Sequence, residues 1–153
     1  AQIFVNTHAA AAYASSRATG VPASIILAQA ALESGWGKRA TTGHNFFGIK
    51  GSGPAGATTE KTREFVNGKW VETTAEFRAY RDAAESFTDH GRFLVEKPRY
   101  AEAMRHAHDP ARFAEELQKA GYATDPGYAD KLIAIIRKHN LTKYDLPAPA
   151  PSP

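Results

Sequence analysis

Between residues 22 and 34 the apolar positions follow no single stripe. Ile25, Ile26 and Leu27 are consecutive, and at about 100° per residue they point in three directions. A helix apolar on most sides has to be buried, so the stretch predicts a central helix from about Pro22 to Ser34. Its proline suits the first turn, where the missing N–H would have no partner anyway. Gly35 follows as the left-handed residue that closes such a helix. Before it, Ile3, Phe4, Ala10, Ala11 and Ala14 recur at helical spacing up to Gly20, which predicts a scaffold helix over residues 2–19.

From Lys38 to Gly56 glycine and polar residues dominate, interrupted by a strand-like Phe46-Phe47-Gly48-Ile49. The pattern then changes to the β type. Thr, Val, Phe, Trp and Tyr bracket Asn67-Gly68, a strong hairpin signal, and predict strands over about 59–66 and 69–80. A two-residue turn sets Val66 opposite Lys69, Phe65 opposite Trp70, Glu64 opposite Val71 and Arg63 opposite Glu72, with Glu64 and Glu72 on opposite faces. Helical spacing returns after Asp82 and runs to Pro98, again over about 100–107, again from Asp109-Pro110 to Gly121, and last from Asp125-Pro126 through Leu132, Ile135 and Ile136. Beyond Leu141 the run Pro147 to Pro153 reads as a linker or disordered end. Residues 1–146 thus form one domain, with a β-lobe over about 45–80 and a Pro-rich tail at 147–153.

A chain of 153 residues can bury a substantial core without metals or disulfides. The absence of cysteine removes thiolate nucleophiles and cysteine-based zinc sites. His8 lies among alanines with no ligand at metal spacing, and His106 and His108 point apart, so no metal or other cofactor is expected. Nineteen Lys and Arg against sixteen Asp and Glu give a net charge of +3, a mild bias towards polyanions such as anionic cell-wall polymers or nucleic acid. No apolar run reaches the length of a membrane span. The start Ala1-Gln2-Ile3 carries no signal segment, which reads as a signal already removed or as an excised domain.

The chemistry centres on Glu33. It stands in the last turn of a buried helix, where low-dielectric packing and the negative end of the helix dipole both disfavour its ionised form. A carboxyl kept protonated near neutral pH is suited to general acid catalysis. Trp36 beside it offers a flat apolar face of the kind sugars stack on, and Phe46 a second wall. Gly51 to Gly56 matches G-x-G-x-x-G literally, but a strand follows it where a phosphate-binding helix would be needed, so a mobile loop beside a cleft is the better reading.

The run Ala28-Gln29-Ala30-Ala31-Leu32-Glu33-Ser34-Gly35-Trp36-Gly37, with Asn45-Phe46-Phe47-Gly48-Ile49-Lys50, Thr62-Arg63-Glu64-Phe65, Phe77-Arg78-Ala79-Tyr80 and Gly121-Tyr122-Ala123-Thr124-Asp125-Pro126, closely resembles glycoside hydrolase family 73. The resemblance spans nearly the whole chain. It implies an α+β, lysozyme-like fold in which a helical lobe and a small β-hairpin lobe flank a glycan cleft. By that resemblance the chain is an endo-acting N-acetylglucosaminidase cleaving β-1,4 bonds in peptidoglycan, in the periplasm or elsewhere in the extracytoplasmic wall. Carried over position by position, it makes Glu33 the acid and Glu64 the second carboxylate, with Phe65 where tyrosine is commoner. Tyr122 matches a cleft tyrosine, Tyr128 is a weaker form of the same idea, and Asn45, Phe46, Trp36 and Tyr128 become substrate-binding candidates. Glu72 is the alternative to Glu64, its bland role being a cross-strand pair with Arg63.

The flagellar branch of the family is the one implied. Partners would then be peptidoglycan strands and, through a domain outside this chain, flagellar rod proteins. A general autolysin and a glycan-binding module without turnover are the competing functions. The second is disfavoured because both carboxylates are present. A nucleic-acid binder, the third competing function, is disfavoured on pattern, since the basic residues are scattered rather than grouped on one element, and the ionic-strength dependence of binding would decide it. Finally, a long hairpin beside a Gly-rich loop has little to pack against, which predicts a moving β-lobe and a Glu64 far from Glu33 without ligand.

Overall fold

The computed structural model of the protein describes residues 1–40 and 42–145; the Pro-rich tail lies outside them. The elements in chain order are α1 (Gln2–Thr19), α2 (Ala23–Ser34), β1 (Ala57–Val66), β2 (Lys69–Arg78), α3 (Ala83–Glu96), α4 (Ala101–Met104), α5 (Pro110–Lys119) and α6 (Tyr128–Lys138). Single 3-10 turns cover Pro98–Tyr100 and Leu141–Asp145. Strand β1 pairs antiparallel with β2 in a two-stranded sheet, and the helices form the other lobe. This is the α+β architecture, a helical lobe beside a small β-hairpin lobe, that the resemblance implied.

The fold is built around α2, as its all-round apolarity requires. Every residue from Ala23 to Ala31 is buried, and α1, α3, α5 and α6 all pack against it. Pro22 provides no side-chain cap for the first turn. Asp145, 121 residues away, provides one instead: its carboxylate accepts from the Ser24 amide at 2.8 Å and from Ser24 Oγ at 2.5 Å. At the other end Gly35 takes the left-handed conformation at φ 57°. Ser34 Oγ donates to the Ala30 carbonyl at 2.6 Å and accepts from the Gly37 amide at 2.9 Å, so the last turn is held from within.

The hairpin register matches the pairing derived from the two-residue turn, including Arg63 opposite Glu72. Asn67 at φ 50° and Gly68 at φ 78° supply the two positive φ angles that such a turn needs. Strand β1 starts near where the pattern placed it, whereas β2 stops at Arg78. Ala79 and Tyr80 leave the ladder because their backbone groups serve other segments. The Ala79 carbonyl accepts from the Ala55 amide, and the Tyr80 amide donates to the Gly43 carbonyl.

Three expectations need correction. Residues 46–49 are not a strand, although Lys50 makes a single bridge to Phe77. The Gly51–Gly56 segment is a tied loop: Gly51 donates to Glu76, Ala55 to Ala79, and the Gly56 carbonyl accepts from Ala79. It packs on the end of β2 and adds nothing to the cleft wall. The hairpin also does not stand alone. The Phe65 amide, on the free edge of β1, donates to Thr124 Oγ1 at 2.9 Å, and the Lys131 ammonium lies 6.0 Å from the Trp70 ring centroid.

Candidate functional site

A cleft of about 1080 Å³ separates the helical lobe from the inner face of the hairpin. Its floor is the end of α2, the 45–50 segment and the 121–124 loop, and its far wall is β1 from Glu60 to Glu64. Along β1 the even-numbered residues Thr58, Glu60, Thr62 and Glu64 are half-buried while the odd-numbered ones up to Arg63 are exposed, so the even face looks inward. Both Glu33 and Glu64 line this one cleft, and Glu72 is exposed outside it.

The Glu33 carboxyl is raised from its ordinary 4.5 to about 7, chiefly because burial penalises the charge. Asp125 pushes it further up, and Arg39 and Lys131 oppose the rise. Two glycines with positive φ lie beside it. Gly48, at φ 67°, leaves room that a Cβ would take at 3.5 Å from Glu33 Oε2. Gly35 leaves the space that the Arg39 guanidinium occupies, since a Cβ there would come within 2.7 Å of Arg39 Nη1. Glycine at both positions is set by the positive φ of the turns: a Cβ would make ordinary contact with Glu33 at Gly48 and meet only the movable end of Arg39 at Gly35. Across the cleft, Glu64 makes an ion pair with Lys50.

Asn45 lines the cleft as an organiser of its loop. Its amide nitrogen donates to the Ile49 and Arg78 carbonyls at 2.9 and 3.0 Å, and its oxygen accepts from the Phe47 and Ile49 amides at 3.1 and 3.3 Å. One buried side chain thus shapes the 45–49 bend and ties it to the end of β2. Tyr122 also lines the cleft. Its ring stacks on Tyr128 at 5.5 Å and meets Tyr100 at 5.9 Å, and burial together with the Glu33 charge holds its phenol well above the ordinary value.

Three other candidates lie elsewhere than the cleft wall. Tyr128 is buried beneath Tyr122, where its hydroxyl accepts from Gln29 Nε2 at 2.9 Å. Gln29 Oε1 in turn meets His90 Nε2 at 2.7 Å. An amide oxygen only accepts, so Nε2 carries the ring proton, and burial pushes the His90 pKa down to about 3. Phe46 is turned into the core against Phe4, His8 and Phe87. Trp36 sits at φ 61° between two glycines that also have positive φ. Those successive left-handed residues reverse the chain, and the indole packs edge-on against Phe4 at 5.7 Å and His139 at 4.8 Å. Neither aromatic is among the residues that line the cleft.

Several cleft residues were missed. Glu60 shares the inward face with Glu64, and the strand alternation that placed one would have placed both. Arg39, Lys50, Lys97 and Arg99 also line the cleft; as isolated cations in turns and a helix connection they carry no pattern. Among the described residues no group of three or more His, Cys, Asp or Glu is arranged to hold a metal ion.

Residues 9–141 match the family model for glucosaminidase, described as mannosyl-glycoprotein endo-beta-N-acetylglucosaminidase. The chain is 42% identical to the peptidoglycan hydrolase FlgJ of Pseudomonas aeruginosa, over 98% of its own length and 39% of that protein. Indeed it spans less than half the length of the first curated relatives it matches. Among solved structures, a mutant peptidoglycan hydrolase from Sphingomonas sp. A1 superposes with a TM-score of 0.83 at 37% identity, covering 94% of this chain and 97% of that one. A C-terminally truncated glycoside hydrolase domain of Salmonella typhimurium FlgJ gives 0.71 at 39% identity, covering 90% and 95%.

Proposed function

The chain belongs to the glucosaminidase family, and we propose that it is an endo-acting β-N-acetylglucosaminidase cleaving β-1,4 bonds in peptidoglycan. The observation that carries this is the Glu33 carboxyl, held at about 7 at the end of a buried helix and open to a cleft lined opposite by Glu64. Glycoside hydrolysis needs a proton donor for the leaving oxygen and commonly a second carboxylate that activates water or attacks the anomeric carbon. In this reading Glu33 donates the proton. Below about pH 7 burial keeps it loaded, and once it has given the proton away Arg39 and Lys131 stabilise the anion. Glu64 is the second carboxylate, carried on the inward face of β1. Tyr122, backed by Tyr128, bounds the reacting region from below, and Asn45 holds the loop that brings Gly48 against the acid. The FlgJ names of the relatives support a setting in flagellar assembly, and the proposed place of action is the periplasmic wall.

Digestion of purified sacculi with mass analysis of the new reducing ends tests the reading. Soluble fragments ending in N-acetylglucosamine are the expected product. Fragments ending in N-acetylmuramic acid, or no fragments at all, would overturn it.

A further inference from the structure

The cleft carries more positive than negative charge: leaving aside Lys61 and Arg63 on the outward face of β1, Arg39, Lys50, Arg78, Lys97 and Arg99 line it against Glu33, Glu60 and Glu64. Some of those cations are already matched. Lys50 pairs with Glu64, and Arg78 pairs with Asp89 at 2.9 Å. Lys97 and Arg99 are not. Lys97 precedes and Arg99 lies within the 3-10 turn between α3 and α4; both are exposed, and neither has a carboxylate partner among the described residues.

Arg99 is nevertheless fixed in place. Its Nε and Nη2 donate to the Ala120 carbonyl at 3.2 and 2.8 Å, and Nη2 also reaches the Gly121 carbonyl at 3.0 Å. These are the free carbonyls past the end of α5, so neutral acceptors orient the guanidinium without neutralising it. Nη1 makes no hydrogen bond among the described residues, and the group lies 5.2 Å from the centroid of the Tyr100 ring, which in turn meets Tyr122. Lys97 is placed by the Phe93 face, with Nζ 4.7 Å from the ring centroid. Two cations oriented by rings and carbonyls, with charge and donors left over, form a receptor for an anion.

A glycan of N-acetylated sugars is neutral along its backbone and gives such a receptor nothing to bind. Peptidoglycan differs in the carboxylates of the peptides attached through its lactyl ethers. Resting on the peptidoglycan reading above, we propose that Lys97 and Arg99 form a subsite for a carboxylate of the stem peptide, so that the enzyme selects peptide-bearing strands over bare glycan.

The test compares kcat/KM on three substrates: glycan strands with intact peptides, the same strands with their peptide carboxylates converted to amides, and strands stripped of peptide whose lactyl carboxylates, freed by the stripping, are likewise converted to amides. The wild type is expected to favour intact strands by about tenfold, the worth of roughly one charge-assisted hydrogen bond. That preference should fall towards unity on amidated strands and in Lys97→Glu. Arg99→Lys, which retains charge but loses the fork, should reduce it partially, with melting curves confirming that both variants fold. Raising salt should erode the preference in the wild type more than in Lys97→Glu. Equal turnover of all three substrates by the wild type, or a preference that survives amidation or both substitutions, would overturn the subsite while leaving the hydrolase reading intact. Failure of the wild type to cleave any of the three would overturn both.

Discussion

Replacing Glu33 by glutamine separates stability from activity in a way that the structure makes quantitative. In the unfolded chain the carboxyl titrates near 4.5, and in the folded protein near 7. A group whose folded pKa is raised in this way binds more protons when native, so stability falls as pH rises between those two values. Tenfold in proton affinity is about 1.4 kcal/mol, which makes the full cost of ionising Glu33 in place about 3 kcal/mol above pH 7 and close to zero below pH 4. Glu33→Gln keeps the shape and removes the titration. Chemical denaturation at pH 4, 6 and 8 should therefore show variant and wild type nearly equal at the lowest pH, with the variant gaining up to about 3 kcal/mol at the highest. The same substitution should abolish release of reducing ends from sacculi, and wild-type turnover should decline above about pH 7 as the acid loses its proton. A stability difference that does not change with pH would refute the argument for a buried protonated carboxyl. Near-normal turnover in the variant would refute the catalytic role.

Two further outcomes follow from the geometry. Glu64→Gln should lower kcat by orders of magnitude with little change in melting temperature, whereas Glu72→Gln, on the exposed face opposite Arg63, should cost less than about 1 kcal/mol and leave turnover alone; the reverse pattern in paired kinetic assays would exchange their roles. Phe46→Ala should destabilise by about 3 to 5 kcal/mol, as truncation of a packed aromatic does, while an inactive enzyme carrying it keeps its glycan affinity at temperatures where it stays folded; a loss of affinity without a loss of stability would return Phe46 to the sugar site.

Much of the helical lobe was legible because its signals are local. The run Ile25-Ile26-Leu27 could only be buried, Gly35 and Gly20 could end their helices at no steric cost, and Asn67-Gly68 set the hairpin register residue by residue. The face of β1 that carries Glu64 follows from the same alternation. Glu33 could be singled out as an acid in an apolar helix before any coordinate was known, since burial and the helix end act on it through its own element.

What the chain pattern could not reveal was decided by contacts between residues distant in sequence. Trp36 and Phe46 have the composition of sugar platforms, but the bend held by Asn45 turns Phe46 into the core and three successive left-handed residues at 35–37 lay a half-buried Trp36 against its edge. Asp145 caps a helix 121 residues away, and Thr124 fastens a strand edge that looked free. The cations of the cleft arrive singly from turns and connections. Periodicity reports only which side of an element is apolar; where that side is turned, and which unmatched charges it meets, is settled when the elements pack, because a charge's partners are set by distance in space and not along the chain.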